Sequence, residues 1–206
     1  MNNYSDFFNK KNVFYIFKYS FIAVFVALVV EISKFFFDIE EPKSAKIEEV
    51  FFSNIIRSSI SIVLISPILE EITFRLPIKK SNYYATSIIL CLFFLASSSF
   101  IFVKTICLLF TGVVLVYQRS ELSYTNLLKN VIIVLSMLTF VVIHFDNYEI
   151  EQLKALNSVS LVILFIPQLV ICMILTKVRL ETCLLNCIVI HSLYNLLIVT
   201  LGFFLN

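Results

Sequence analysis

The sequence predicts an all-α fold: a polytopic bundle of transmembrane helices, about seven spans, in one domain over residues 1–206. Three observations predict it. Hydrophobic residues make up 60% of the chain and charged residues only 15%, against roughly 25% charged in an ordinary soluble domain. Mean hydropathy is +0.96, far too apolar for a surface facing water. Finally, apolar stretches recur from Phe14 to the C-terminus, with no polar interval long enough to fold separately.

A helix crosses the hydrocarbon with about 20 apolar residues, and such segments fall at 14–37, 55–78, 84–101, 104–118, 128–147, 158–176 and 183–204. The first, beginning near Val13, is longer than a signal-peptide core and lacks a small-residue cleavage site after it, so it is expected to stay as an anchor. The second carries Pro67 in its middle, where the missing N–H frees the carbonyl of Val63 and opens a polar notch one turn before Glu70. Tyr83 to Gln118 is almost continuously apolar. Ser97, Ser98, Ser99 and Lys104 interrupt it, which reads as two short spans joined by a hairpin, with one long tilted helix as the rival.

Orientation follows the Lys/Arg bias of the connecting segments. Seven spans place Lys10, Lys11, Arg75, Lys79, Lys80, Arg119, Lys177 and Arg179 on one side, expected to be cytoplasmic together with the N-terminus. Asp38, Glu40, Glu41, Glu48, Glu49, Asp146, Glu149 and Glu151 fall on the other. A multi-pass protein of a plasma membrane is expected, and the abundance of Phe, Ile, Asn and Lys suits an AT-rich bacterial genome. A net charge of +2 without a basic run excludes a nucleic-acid partner. Cys91, Cys107, Cys172, Cys183 and Cys187 all lie in apolar segments and read as small packing residues, not a disulfide framework.

Ionisable groups at membrane depth are costly and usually face the bundle interior to a purpose. Glu70, Glu71 and Arg75 lie on the second span, and the only two histidines, His144 and His191, lie on the fifth and seventh. Glu71 and Arg75 are i,i+4 neighbours able to pair, whereas Glu70 points about 100° away and stays available. His191 shares a face with Asn195, and His144 with Phe140. Glu70 and His191 both fall roughly 12 Å from the cytoplasmic ends of their spans, and His144 several ångströms deeper. Singly these residues read as structure: an ion pair, and two interhelical hydrogen-bond partners. Jointly, a free carboxylate, two imidazoles and an amide in an apolar cavity are the groups that activate water and stabilise an oxyanion.

Glu70-Glu71-x-x-x-Arg75, Phe140-x-x-x-His144 and His191-x-x-x-Asn195, on separate spans and in this order, resemble the CPBP family of intramembrane endopeptidases. That family comprises the type II CAAX prenyl proteases and the bacteriocin-processing and immunity proteins, also called Abi proteins. The likeness is densest over Pro67 to Leu76 and Phe140 to Leu197, including Pro167-Gln168. It implies that Glu70 and His144 activate water, that His191 and Asn195 hold the oxyanion, and that Glu71 and Arg75 support the site. The substrate would be a membrane-associated peptide or protein. Two departures stand out: Leu76-Pro77 follows Arg75 where Gly is frequent, and the interval from Glu70 to His144 holds an extra hydrophobic hairpin.

No cofactor is required by this reading. Were a divalent metal such as zinc bound, Glu70, His144 and His191 would be its ligands, with Cys183 and Cys187 as further candidates on the stripe leading to His191. Two other functions compete: a catalytically silent scaffold or bacteriocin-immunity protein, and a small proton-coupled transporter using Glu70 and His144 as a relay. The absence of internal repeats and of Gly-rich broken helices disfavours the transporter.

Overall fold

The computed structural model describes residues 10–36, 54–79, 81–119 and 125–205. The acidic segment from Asp38 to Glu49, together with Lys80, lies outside them, so its expected sidedness stays an expectation. Helix α1 is Lys10–Phe36. Helix α2 (Ile55–Ile60) passes through a π-helical turn (Ser61–Ile65) into α3 (Ser66–Phe74), which ends in a 3-10 turn at Leu76–Ile78. Then come α4 (Tyr84–Ser97), α5 (Ile101–Arg119), α6 (Thr125–Ile143) with a 3-10 turn at His144–Asn147, α7 (Ile150–Ala155), α8 (Ser158–Glu181) and α9 (Leu184–Leu205). No strand occurs among the described residues. The fold is a helical bundle.

Five helices among the described residues are long and apolar enough to cross a membrane: Asn12–Ser33, Ile101–Arg119, Asn126–Asn147, Ser158–Glu181 and Leu184–Leu201. Two of the seven expected spans are different in kind. α4 has 14 residues, about 21 Å of helix, and the segment from Ile55 to Phe74 is broken by its π turn. Neither makes a regular crossing helix by length alone.

The long apolar stretch after Tyr83 is two helices and not one. Ser98 leaves the helical region at ψ 141°, and the turn is held by Asp146, whose Oδ1 accepts from the Ser98 hydroxyl at 3.0 Å and the Ser99 N–H at 2.9 Å. Phe145, one residue before that carboxylate, stacks on Phe165 of α8 with ring centroids 4.0 Å apart. This clasp gathers the ends of α4 and α6 and the start of α5 at one end of the bundle.

At the opposite end, the Lys79 ammonium donates to the Thr182 carbonyl at 2.9 Å and the Gln118 amide to the Pro77 carbonyl at 3.2 Å. Lys177 lies 6.0 Å from the ring of Tyr19 in the first half of α1. The described bases Lys79, Arg119, Lys177 and Arg179 therefore cluster at the end where α1 begins, and Asp146 sits at the other. One sequence expectation needs correction here: Lys177 and Arg179 are not in a loop after a span ending at residue 176. α8 continues to Glu181, because Arg179 is drawn into the bundle, only 9% exposed, by donating to the Arg75 carbonyl at 2.9 Å.

Phe74 stands at the centre of the core. Its fully buried ring lies 5.8 Å from Phe94, 5.8 Å from Phe110 and 6.1 Å from Phe140, so four helices meet on one side chain. The backbone just beyond it needs partners, since the last carbonyls of any helix lack intrahelical donors. Five side chains from four helices supply them. The Ser87 hydroxyl donates to Thr73 O at 2.5 Å, Ser136 to Phe74 O at 2.7 Å, Arg179 to Arg75 O, Gln118 to Pro77 O and the Tyr117 hydroxyl to Ile78 O at 3.5 Å. Pro77 ends the helix inside protein, where irregular backbone is tolerated only if its polar groups are satisfied.

Candidate active site

α3 places Glu70 and Glu71 on neighbouring faces of one turn, and α9 brings His191 between them. The His191 Nδ1–H donates to Glu71 Oε1 at 3.0 Å, and its Nε2 lies 3.9 Å from Glu70 Oε2. The other oxygen of Glu70 accepts a short hydrogen bond from the Ser66 hydroxyl, one turn earlier on α3. Ser66 was not among the expected site residues, although its spacing four before Glu70 puts it on the same face. Glu71 reaches Arg75 as its spacing predicts, with Nε 3.8 Å from Oε2 and both side chains fully buried. Glu71 is thus bonded to His191 as well as paired with Arg75.

Phe140 is the platform on which this network rests. The Arg75 guanidinium sits 4.4 Å above its ring, and the rings of His144 and His191 lie 4.9 Å and 5.7 Å from it. A cation over a desolvated aromatic face is stabilised by the ring quadrupole, so the Phe of Phe140-x-x-x-His144 has a physical role of its own. The Arg75 Nη2 reaches the Cys172 carbonyl at 3.5 Å.

His144 starts the 3-10 turn after α6 and is half-buried. Its Nδ1–H donates to the Phe140 carbonyl at 2.7 Å, which leaves Nε2 as the acceptor nitrogen. The Ser136 bond to the Phe74 carbonyl sets the level of α6 against α3. From there α6 climbs about 12 Å to His144 while Glu70 lies about 6 Å up α3. His144 therefore stands about a turn nearer the acidic end than Glu70, within coulombic reach of Glu70, His191 and Arg75.

Asn195 behaves otherwise than expected. It is half-buried one turn beyond His191, and its Nδ2 donates to the Ile62 carbonyl in the π turn at 2.8 Å. The polar notch before Glu70 was expected at the carbonyl of Val63; the carbonyl that this amide reaches is that of Ile62, one residue earlier, because the π turn widens the register there.

Four buried atoms of the cluster have no hydrogen-bond partner in the protein: Glu70 Oε2, Glu71 Oε2, and Nε and Nη1 of Arg75. Folded proteins seldom leave such atoms unpaired. Glu71 Oε2 and Arg75 Nε face each other across the 3.8 Å ion pair, which leaves Glu70 Oε2 and Arg75 Nη1 as the polar atoms of the cluster with unused hydrogen-bonding capacity. Among the described residues no three His, Cys, Asp or Glu side chains converge as a metal-holding group. Cys187 directs its thiol at the carbonyls of Leu175 and Cys183, and Cys183 is exposed, so that stripe packs helices instead of extending the histidine site.

No family model, curated protein or solved structure matches this chain.

Proposed function

We propose that the chain is a glutamate-dependent intramembrane endopeptidase of CPBP type, cleaving a peptide bond in a membrane-associated peptide or protein. The observation that carries this reading is one imidazole held between two buried carboxylates, with Glu70 Oε2 facing its Nε2 at 3.9 Å and accepting no hydrogen bond from the protein. In this mechanism Glu70 takes a proton from water as the oxygen attacks the scissile carbonyl carbon, with the free Nε2 of His144 orienting the same water. His191, anchored through Nδ1 to Glu71, turns its Nε2 edge toward Glu70 and the oxyanion that forms beside it. Glu70 then returns its proton to the leaving nitrogen as the C–N bond breaks, giving a carboxylic acid and an amine. No step passes through a metal.

A second reading has an observation in its favour. The Asn195 amide is taken up by backbone, and Arg75 ties α3 to α6 and α8, as in a silent scaffold that keeps polar residues for packing. The two readings separate on the membrane peptides of cells producing wild type or Glu70→Gln. Peptides shortened only in the wild type are the expected result, and identical peptide profiles would leave the scaffold.

A further inference from the structure

The π turn before the glutamates takes from the carbonyl of Ile62 both of its regular helical donors. Ser66 N–H, the α-helical partner of Ile62 O, is directed instead to Ser61 O, five residues back. In the wider register the donor to Ile62 O would be the residue five ahead, and that residue is Pro67, which has no N–H. A carbonyl so exposed inside an apolar bundle is costly unless another group donates to it. Among the described residues the side chain that donates to it is Asn195, whose Nδ2 lies at 2.8 Å and comes from 133 residues away in sequence.

We propose that Asn195 is a positioning residue that substitutes for the N–H missing at Pro67, and so holds open the wide turn that aims Ser66 and Glu70 at His191. A π turn inserts one residue, which rotates everything after it by about 100° relative to α2. Ser66 is the first residue past that turn and bonds Glu70 directly. The Ile62 to Asn195 bond therefore acts on the carboxylate through two links, the turn and the Ser66 hydroxyl. The catalytic consequence rests on the peptidase reading, whereas the structural claim stands without it.

A mutant cycle tests it. Asn195→Ala and Asn195→Ser, the latter polar but too short to reach Ile62, are made in the wild type and in Pro67→Ala, which restores an N–H at position 67. Full-length proteins are purified in detergent, and thermal unfolding is measured beside peptide cleavage. In the wild-type background both variants should lower Tm by about 2–4 °C and reduce kcat more than KM. In the Pro67→Ala background the same substitutions should leave Tm unchanged, with kcat equal to that of Pro67→Ala alone. Equal losses of Tm in the two backgrounds would overturn the proposal, as would a Pro67→Ala protein that does not fold. If the single Asn195 variants fail to accumulate, the double variant must do so. Tm rescue without recovery of kcat would mean that Asn195 also touches the oxyanion, and would overturn the purely positioning role. Absence of cleavage by every protein, with Tm rescue intact, would defeat the peptidase reading alone.

Discussion

Adjacent glutamates with different partners give the residue scale its sharpest contrast. Glu70→Gln keeps an oxygen for the Ser66 hydroxyl and removes only the base, so the fold should persist while turnover falls roughly 10²- to 10⁴-fold. Glu71→Gln withdraws the negative charge that faces Arg75, and losing one partner of a buried pair costs about 3–5 kcal/mol. Thermal unfolding beside peptide cleavage distinguishes them. A fully active Glu70→Gln protein would remove Glu70 as the base, and a Glu71→Gln protein as stable as the wild type would show that the pair with Arg75 does not hold the fold. The Glu71 to Arg75 pairing was legible in the sequence because i,i+4 spacing is a local geometric fact. The pairing of His191 with Glu71 was not, because which of two neighbouring carboxylates meets a residue 120 positions away depends on how α9 is rotated against α3. The bond from Asn195 to Ile62 was not legible for a related reason: no local pattern reveals that Ser66 N–H turns to Ser61 O and leaves the carbonyl of Ile62 to another donor.

At the scale of elements, the end of α3 is held by side chains that α4, α5, α6 and α8 direct at its carbonyls. Ser136→Ala removes the donor to Phe74 O without disturbing the ring contacts of Phe74. Hydrogen bonds between helices of membrane proteins average about 0.6 kcal/mol and reach about 1.7, and full burial places this one toward the upper value. Unfolding in detergent should report a loss of about that size. Ser87→Ala should add to it nearly independently, because Ser87 serves a different carbonyl, and strong non-additivity would show that the two hydroxyls share one. The helices themselves follow from long apolar runs, and the hairpin at Ser98 was readable from three consecutive serines. Where α3 stops was only half readable. Pro77 announces a stop, but the residues that make it tolerable are two serines, a tyrosine, a glutamine and an arginine spread from position 87 to position 179, none distinguished by its local sequence.

For the whole molecule, the hydrogen-bonded ends place Lys79, Arg119, Lys177 and Arg179 opposite Asp146, while Lys104 and Lys154 lie on the elements that adjoin Asp146. Single cysteines at Ser81 and Asn147, in a chain whose exposed Cys183 is replaced by Ser, should react with a membrane-impermeant thiol reagent from opposite faces of a sealed vesicle. Labelling of both from one face would show that the bundle does not cross the bilayer along its helices. The grouping of Lys79, Arg119, Lys177 and Arg179 at one end could be read from sequence because it needs only the alternation of successive segments. The number of regular crossings could not, because hydropathy registers α4 and the segment from Ile55 to Phe74 as apolar without registering that one is short and the other broken.

The five donors gathered at the end of α3 also impose an order on how the chain is made. Ser87 follows residues 73 to 78 out of the ribosome almost at once, but Tyr117, Gln118, Ser136 and, last of all, Arg179 come much later. Until Arg179 has entered the bilayer the carbonyl of Arg75 has no designated donor, and the helix carrying both glutamates ends in an unfinished edge. The nascent protein must shelter that edge near water or within the insertion machinery while more than half of its length is still being synthesised. A chain cut short before Arg179 would display to quality control the same backbone that the finished bundle conceals.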